Sequence, residues 1–498
     1  MHRCLQIPEL VELVCSHLEV PCQESFIDVR QPERRDLAVL ARTSTVLSSH
    51  ALRLLWKTVK LVDLLRCLPS DSFDLTATVR DFWITYTMEP LRPLRESDWE
   101  RVLIYAQHVK HLITDSADLS PMFPSVSRWL PKNMLPNLRG LHWTQQENNF
   151  QYIDHFLSSQ LTTIRILGTP LAALSLASSL ARRCPRLTNI ILFPFRGKSD
   201  LKPQVVSAVS MCVLGLHGIE KLITDTVDPP ALEHLSHLSS IRYLMFSGVL
   251  PTLSTLPRIK APFPSLQNLR FTSGSGIESP MRFLEWCNKL PLVTFDAKCA
   301  AFSTADAVHR LFSAASRGIS QSSLMEFTFS DEFDPFDHWH SATYLIRPQS
   351  LRSLFCFVNL TSVSVLSAIG IDLDDTTVTE MARSWPYVEC LKLQSYYGHR
   401  VVPRTTLQCL EAFPKYCPHL TKLCIMFDAT VIPTSQAGLS LQCLQDLDVE
   451  ASPISTALPV AQFLTHIFPS LRNISTPGVN VRSPRYDRLW RDVAALLA

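Results

Sequence analysis

One short hydrophobic pattern recurs along most of this chain: an apolar residue, two variable ones, an apolar residue, one variable residue and a final apolar residue. It occurs, for example, at Leu138–Trp143, Leu266–Phe271 and Leu420–Ile425. The last two apolar positions are two residues apart, so they point to the same face of a short strand, and the leading one turns inward just before it. Each unit therefore buries three side chains and needs a neighbour on either side to cover them. This pattern predicts a solenoid, and solenoids usually bind other molecules.

The leading apolar residues set the length of the repeat. They are Val109, Leu138, Leu161, Leu187, Ile219, Ile241, Leu266, Leu292, Leu324, Leu351, Val388, Leu420, Leu444 and Leu471. Successive positions are about 22 to 37 residues apart, which is the range of leucine-rich repeats with some inserted loops. We therefore predict a leucine-rich-repeat solenoid of about 14 units over residues 106–498.

The segments between the predicted strands have a helical period. Leu176, Leu180 and Cys184 lie on one helical face, and Pro185 then ends the helix shortly before the next strand. The sequence thus predicts an α/β fold in which parallel inner strands and outer helices form a curved array. The residue between the last two apolar positions of each unit should point to the concave surface. These residues are His142, Arg165, Ile191, Met245, Arg270, Thr328, Phe355, Lys392, Cys424 and Asp448.

The mixture of basic, aromatic and methionine side chains on that surface suits the binding of a protein. It has no stripe of a single charge that would indicate a phosphorylated or acidic ligand. We take Arg165, Met245, Arg270, Phe355 and Lys392 as the candidates for contact with a protein substrate. A merely solvated surface remains the alternative for each of them.

The N-terminal segment does not follow the repeat period. Residues 1–62 contain three short apolar helical patterns and predict a small helical domain, which is marginally stable without a partner. Residues 63–105 are predicted to be a connector that packs against the first repeat.

This segment resembles an F-box domain joined to leucine-rich repeats, of the type expanded in fungi. The resemblance is carried by Ile7–Leu10, by Asp36–Thr43 and by Ala51–Trp56. It implies the substrate-recognition subunit of an SCF-type cullin-RING ubiquitin ligase. The F-box would dock on a Skp-type adaptor, and through it on a cullin, while the repeats would bind a protein substrate. The matching positions that the resemblance assigns to the adaptor interface, as contacts or as their support, are Ile7, Pro8, Leu10, Leu40 and Trp56.

Two alternatives stay open. Pro8, Leu10 and Trp56 could instead form the core of the three helices, and an exposed apolar patch on this domain would favour the adaptor interface. The chain could also be a leucine-rich-repeat scaffold outside any ligase, because the loop at Glu19–Arg35 is longer than the family's usual link.

The net charge and the cysteine spacing indicate which partners this protein can bind and in which cellular compartment it works. The net charge is +2, with no basic block or polybasic amphipathic stretch, so neither a nucleic acid nor a membrane surface is expected to bind. The fourteen cysteines include no C-x-x-C pair, and the first residues lack a signal-peptide core. We therefore expect reduced thiols in a cytoplasmic or nuclear protein. The uncharged stretch Leu354–Ile371 is better explained by burial among the repeats than by a membrane span.

The motifs that could indicate catalysis are incomplete. Gly197–Ser199 lacks the preceding glycines of a phosphate-binding loop. Asp334, Asp337, His338 and His340 could hold zinc or iron but more simply form a solvated loop. Cys417, His419 and Cys424 lie within a repeat and mostly face its core. We therefore expect a protein that is not an enzyme and has no cofactor. An enzyme built on the Asp/His cluster is the remaining alternative.

Overall fold

The computed structural model describes most of the chain, with gaps between the described segments. These are 8–17, 34–43, 45–80, 83–114, 117–129, 134–144, 147–167, 173–193, 203–253, 261–272, 276–299, 303–331, 342–367, 369–395, 402–433, 438–475 and 484–497. They fall into two compact units, Met1–Lys221 and Leu222–Ala498.

The first unit contains eight described α-helices and eight complete described strands. Its helices are α1 (Pro8–His17), α2 (Arg34–Leu40), α3 (Thr45–Leu55), α4 (Leu61–Leu65), α5 (Glu100–Ala106), α6 (Phe123–Trp129), α7 (Ala173–Arg183) and α8 (Pro203–Leu214). Its strands are β1 (Thr58–Lys60), β2 (Phe73–Arg80), β3 (Trp83–Pro90), β4 (His111–Ile113), β5 (Ala117–Asp118), β6 (Gly140–Trp143), β7 (Thr163–Leu167) and β8 (Asn189–Phe193). The strand β9 (Lys221–Thr224) starts at the last residue of this unit.

The main sheet of the first unit is parallel, in the order β1-β4-β6-β7-β8. The buried residues Val59, Leu112, Leu141, Ile164 and Ile190 lie at one level across it. Its first strand, β1, belongs to the segment 1–62, so that segment contributes a strand as well as three helices. The predicted connector 63–105 contains the antiparallel pair β2–β3, and β5 pairs with β3 in parallel.

The second unit consists mostly of alternating strands and helices. Its helices are α9 (Pro229–His237), α10 (Glu278–Trp286), α11 (Ala305–Gly318), α12 (Pro348–Arg352), α13 (Asp375–Ser384), α14 (Ala412–Tyr416), α15 (Ala457–Ile467) and α16 (Pro484–Leu497). Its strands after β9 are β10 (Tyr243–Phe246), β11 (Asn268–Phe271), β12 (Thr294–Cys299), β13 (Glu326–Asp331), β14 (Ser362–Ser367), β15 (Cys390–Ser395), β16 (Lys422–Cys424), β17 (Asp446–Asp448) and β18 (Asn473–Ser475).

Consecutive strands from β10 to β18 pair in parallel, which only crossover connections allow. With one exception, every predicted repeat strand begins two residues after its predicted leading apolar residue, as β11 does after Leu266. The predicted α/β class with parallel strands and leucine-rich-repeat architecture is confirmed.

The exception is the unit predicted to start at Leu351. Leu351 lies in α12, and Phe355 follows in a turn, so the predicted strand at this place is wrong. The strand of this unit is β14, whose leading apolar residue is Leu360. Residues 351–356 and residues 360–365 both match the repeat pattern. Pro348, in the first turn of α12, favours a helix that runs into the first of these two segments, so only the second forms a strand.

The core of the second unit lies between the strands and the helices. Phe283 of α10 packs on Phe246 and Phe271 of neighbouring strands, with ring centroids 6.2 and 5.9 Å away. One repeat further, Phe312 of α11 meets Phe327 and Phe329 of β13 at 5.3 and 5.5 Å. The inward side chains of these repeats thus contact helices, as the three-residue pattern requires.

Helix α11 shows how closely successive repeats approach. Thr304 accepts a hydrogen bond from the Ala307 amide at 3.2 Å and caps its start. Its last residue, Gly318, lies against the backbone of the preceding helix. A Cβ atom added there would come within 2.5 Å of the Leu284 carbonyl oxygen.

None of the helices in the described segments is both long enough and apolar enough to cross a membrane. Part of the uncharged stretch Leu354–Ile371 forms β14, and its buried residues Val363 and Val365 face the repeat core.

Candidate protein-interaction surfaces

The α1 helix presents an apolar row to solvent. Leu10, Leu13 and Val14 are 40%, 55% and 48% exposed, and their spacing places them on one helical face. The opposite side carries Val11 and Cys15, both fully buried. The helix therefore packs through one apolar face and exposes a second one, which we call the α1 apolar row (Leu10, Leu13 and Val14).

The residues that the F-box resemblance assigned to an adaptor interface fall into three groups. Leu10 lies in the α1 apolar row. Leu40 is partly buried and packs on the cluster of Val11, Cys15 and Leu47. Trp56, after the end of α3, stacks on Tyr105 with ring centroids 4.4 Å apart and an interplanar angle of 13°.

The two remaining predicted adaptor residues can be placed only in part. Pro8 is the first residue of α1, and Ile7 lies outside the described residues. Leu40 and Trp56 thus support the helical domain and its junction with the following segment, whereas Leu10 is available for contact.

The F-box resemblance did not assign Leu13 and Val14 to the adaptor interface. The sequence does not show that Val11 and Cys15 form the buried side of α1, which leaves Leu13 and Val14 on the exposed side. A helix with apolar residues at positions 10, 11, 13, 14 and 15 has two apolar faces, of which its own domain covers one.

The strands of the second unit carry a row of side chains on the face away from the helices. We call it the open row; at one level across the sheet it consists of Met245, Arg270, Asp296, Thr328, Ser364, Lys392, Cys424, Asp448 and Ser475. Of the predicted substrate contacts, Met245, Arg270 and Lys392 lie in it. Phe355 does not, and Ser364 occupies its place; Phe355 instead packs edge-on against Trp385 at 5.5 Å.

The first unit has a corresponding row on β4, β6, β7 and β8. Arg165 lies in this row with His142 and Ile191 on its two sides. The Arg165 side chain is half-buried, so its aliphatic part contributes apolar surface beside its charge.

A charged and aromatic group occupies the beginning of the open row. The Arg270 guanidinium lies 5.8 Å from the Tyr243 ring centre, and its Nε is 4.0 Å from Asp296 Oδ2. Burial raises the pKa of Asp296, with Lys298 and Arg270 acting in the opposite direction. The Tyr243 hydroxyl is 3.8 Å from the Met245 sulfur. Arginine, tyrosine and methionine together are typical of protein-binding surfaces.

A thiol and two carboxyl groups meet at the other end of the open row. The Cys424 Sγ lies 3.3 Å from Glu450 Oε1, and Asp448 Oδ1 accepts a hydrogen bond from the Glu450 amide at 2.9 Å. Burial raises the pKa of the Cys424 thiol, and it raises the pKa of Glu450 to about 7 with the help of the neighbouring Asp448 charge. The repeat pattern predicted Cys424 on the concave surface; it lies on the open row but is only 3% exposed.

A shallow depression of about 440 Å³ lies at the amino ends of β13 to β16. Met325, Thr361, Tyr387, Glu389 and His419 are among its lining residues. Met325 and Tyr387 are 43% and 54% exposed, so this part of the edge offers apolar contact area as well.

Two candidate chemical sites from the sequence cannot be compared with the fold. Gly197–Ser199 and the cluster of Asp334, Asp337, His338 and His340 lie outside the described residues.

No family model and no curated protein matches this sequence. Among solved structures, the chain is similar to the Rad7–Elc1 complex of yeast, with a sequence identity of 12% and a TM-score of 0.36. The similarity covers 96% of this chain and 90% of that chain. The chain is also similar to CroV588, a circular leucine-rich-repeat protein, with 9% identity, 80% and 70% covered, and a TM-score of 0.22. Both likenesses are too distant to carry an argument about function.

Proposed function

We propose that this chain is the substrate-recognition subunit of an SCF-type cullin-RING ubiquitin ligase. The α1 apolar row would dock on a Skp-type adaptor, which binds a cullin, and the strand faces of the repeats would bind a protein substrate. The single observation that carries the proposal is the exposed apolar row on a helix whose sequence resembles the opening of an F-box.

Solvent exposure of this row gives the docking a driving force. Fully burying a side chain of this size stabilises by roughly 1.5–3 kcal/mol relative to leaving it exposed. Leu10, Leu13 and Val14 are each about half exposed. Covering all three would therefore contribute roughly 2–5 kcal/mol to binding.

The proposed role is not catalytic. The subunit would hold a substrate near a ubiquitin-conjugating enzyme elsewhere in the complex, raising the local concentration of acceptor lysines. The mixed charges of the open row, and the Tyr243 ring beside Arg270, support a folded or extended protein as the substrate. Such a role also fits a cytoplasmic or nuclear location.

The test is a binding measurement between the full chain and a purified Skp-type adaptor. We expect a stoichiometric complex for the wild type and at least about 30-fold weaker binding for Leu10→Ala/Leu13→Ala/Val14→Ala, which removes roughly 2 kcal/mol or more. Met211→Ala is the matched control, because Met211 is an equally exposed apolar residue on α8. Its affinity should equal that of the wild type.

A leucine-rich-repeat scaffold outside any ligase is the second candidate. It is favoured by the internal packing of Trp56 and Leu40, which leaves fewer of the predicted adaptor residues available for contact. A folded wild-type chain that does not bind the adaptor would overturn the ligase proposal and leave the scaffold.

A further inference from the structure

The cluster at the end of the open row has the composition of a metal site. Cys424 ends β16, Asp448 ends β17, and Glu450 follows two residues later. One ligand atom of each of the three side chains lies within 4.8 Å of the other two. Among the residues that the structure describes, this is the one group of three such ligands that converges in this way.

Neighbouring strands bring these groups together. Cys424 and Asp448 are direct partners in the parallel pairing of β16 with β17, so their side chains point to the same face. The chain then turns sharply at Glu450, which has a φ of 50°. This turn brings its carboxylate to the Cys424 thiol and to the Ser395 amide, which donates to Glu450 Oε2 at 3.4 Å.

The cluster has an electrostatic imbalance. Glu450 is 5% exposed and Cys424 is 3% exposed, and no ion pair joins a described lysine, arginine or histidine to Glu450. Its contacts are instead the Cys424 thiol, the amide and the hydroxyl of Ser395, and a second acid, Asp448. Lys392 is the cation that acts on Asp448, and it lies on the exposed part of the open row. Burying the Glu450 carboxylate without a paired cation is costly, so binding of a proton or of a metal ion at this cluster would be favourable.

The donor set selects among metal ions. Calcium and magnesium prefer six or more oxygen ligands and do not use thiolates. Zinc takes sulfur and oxygen ligands in a four-coordinate arrangement with bonds of about 2.0–2.3 Å, which places neighbouring ligand atoms roughly 3.3–3.8 Å apart. The Cys424–Glu450 distance of 3.3 Å already meets this spacing, and the Asp448 ligand atom lies within 4.8 Å of both partners.

We propose that Cys424, Asp448 and Glu450 bind one Zn²⁺ ion through a thiolate and two carboxylates. The fourth position would face the open row, where water or a side chain of a bound protein can take it. The Gln394 amide hydrogen-bonds the Cys424 sulfur and would orient the thiolate. This site does not depend on adaptor binding, so either proposal can fail while the other stands.

The test measures metal binding by the full chain after removal of metals with a chelator. We expect one Zn²⁺ to bind per chain in a titration, and Co²⁺, used as a spectroscopic probe, to give the near-ultraviolet charge-transfer absorption of a cobalt–thiolate bond. Cys424→Ser should abolish this absorption. Glu450→Gln should weaken Zn²⁺ binding by more than about 10-fold, the least that the loss of a supporting group outside the ligands costs.

Cys417→Ser is the matched control, since Cys417 is a fully buried thiol whose sulfur contacts the backbone carbonyl oxygens of Ala382 and Trp385. It should retain the site. A folded wild-type chain that binds no Zn²⁺ would overturn the proposal, and so would unchanged Zn²⁺ binding and Co²⁺ absorption in both site variants. Because Glu450→Gln leaves every thiol in place, it gives a decision even if Cys424→Ser does not fold.

Discussion

The carboxyl group of Asp331 is buried at the carboxyl end of β13. Asp331 is 2% exposed, and burial raises its pKa from an ordinary 3.8 to about 7, although hydrogen bonds from the side chain and backbone of Ser303 act in the opposite direction. At neutral and higher pH the folded protein therefore holds a charge that the unfolded chain would expose to water. Replacing this carboxyl by an amide of the same shape should stabilise the fold in that pH range.

The size and sign of this effect follow from linkage. Between the unfolded pKa of 3.8 and the folded pKa of about 7, the folded state binds more protons than the unfolded state, so stability falls as the pH rises. A shift of about three units corresponds to about 4 kcal/mol at about 1.4 kcal/mol per unit. The gain from Asp331→Asn should be small near pH 4, grow up to about pH 7 and then remain constant.

The assay is urea unfolding of wild type and variant at several pH values between 4 and 9, with the free energy of unfolding taken from the midpoint and the slope. The control is Asp492→Asn, which changes an exposed aspartate on α16 and should show no such rise. A variant less stable than the wild type at pH 8.5, or a gain that does not depend on pH, would refute the reasoning.

Two further predictions concern packing. Gly318→Ala should lower the melting temperature despite the higher helix propensity of alanine, because the added Cβ would clash with the Leu284 carbonyl oxygen. Gly218→Ala is the control and should not lower the melting temperature, because nothing lies within 4 Å of the added atom. A higher melting temperature for Gly318→Ala would contradict the close approach. Trp56→Ala and Tyr105→Ala should be coupled by about 0.5–1.5 kcal/mol in a double-mutant cycle of unfolding, since their rings stack at 4.4 Å. Strictly additive effects would show that the stacked pair contributes nothing.

The repeat strands could be predicted from the sequence because their signal is local and redundant. Each strand has three apolar positions in a fixed spacing, and the spacing alone gives the starting residue, as for Leu266 and β11. Where two copies of the pattern occur within ten residues, the spacing is ambiguous. Leu351 and Leu360 both satisfy it, and a proline at a helix start decided the outcome.

The sites were less predictable because they depend on contacts between distant residues. The stacking of Trp56 on Tyr105 joins two segments about fifty residues apart, so no local pattern could indicate that the Trp56 ring packs inside the protein. Likewise, Cys424 and Asp448 were both expected on the strand face, but Glu450 lay outside the repeat pattern. Only its backbone turn places its carboxylate beside them.

The pairing of β1 with β4 has a consequence for how the repeats can be isolated. The Lys57 carbonyl oxygen accepts hydrogen bonds from the amides of Lys110 and His111, each at 2.8 Å, and β1, at the end of the helical segment, forms the first strand of the sheet and covers β4. A fragment that begins after residue 62 would leave β4 as a bare edge strand, and such edges promote aggregation by pairing with other chains. A fragment that starts at Thr45 would keep both α3 and the protecting strand.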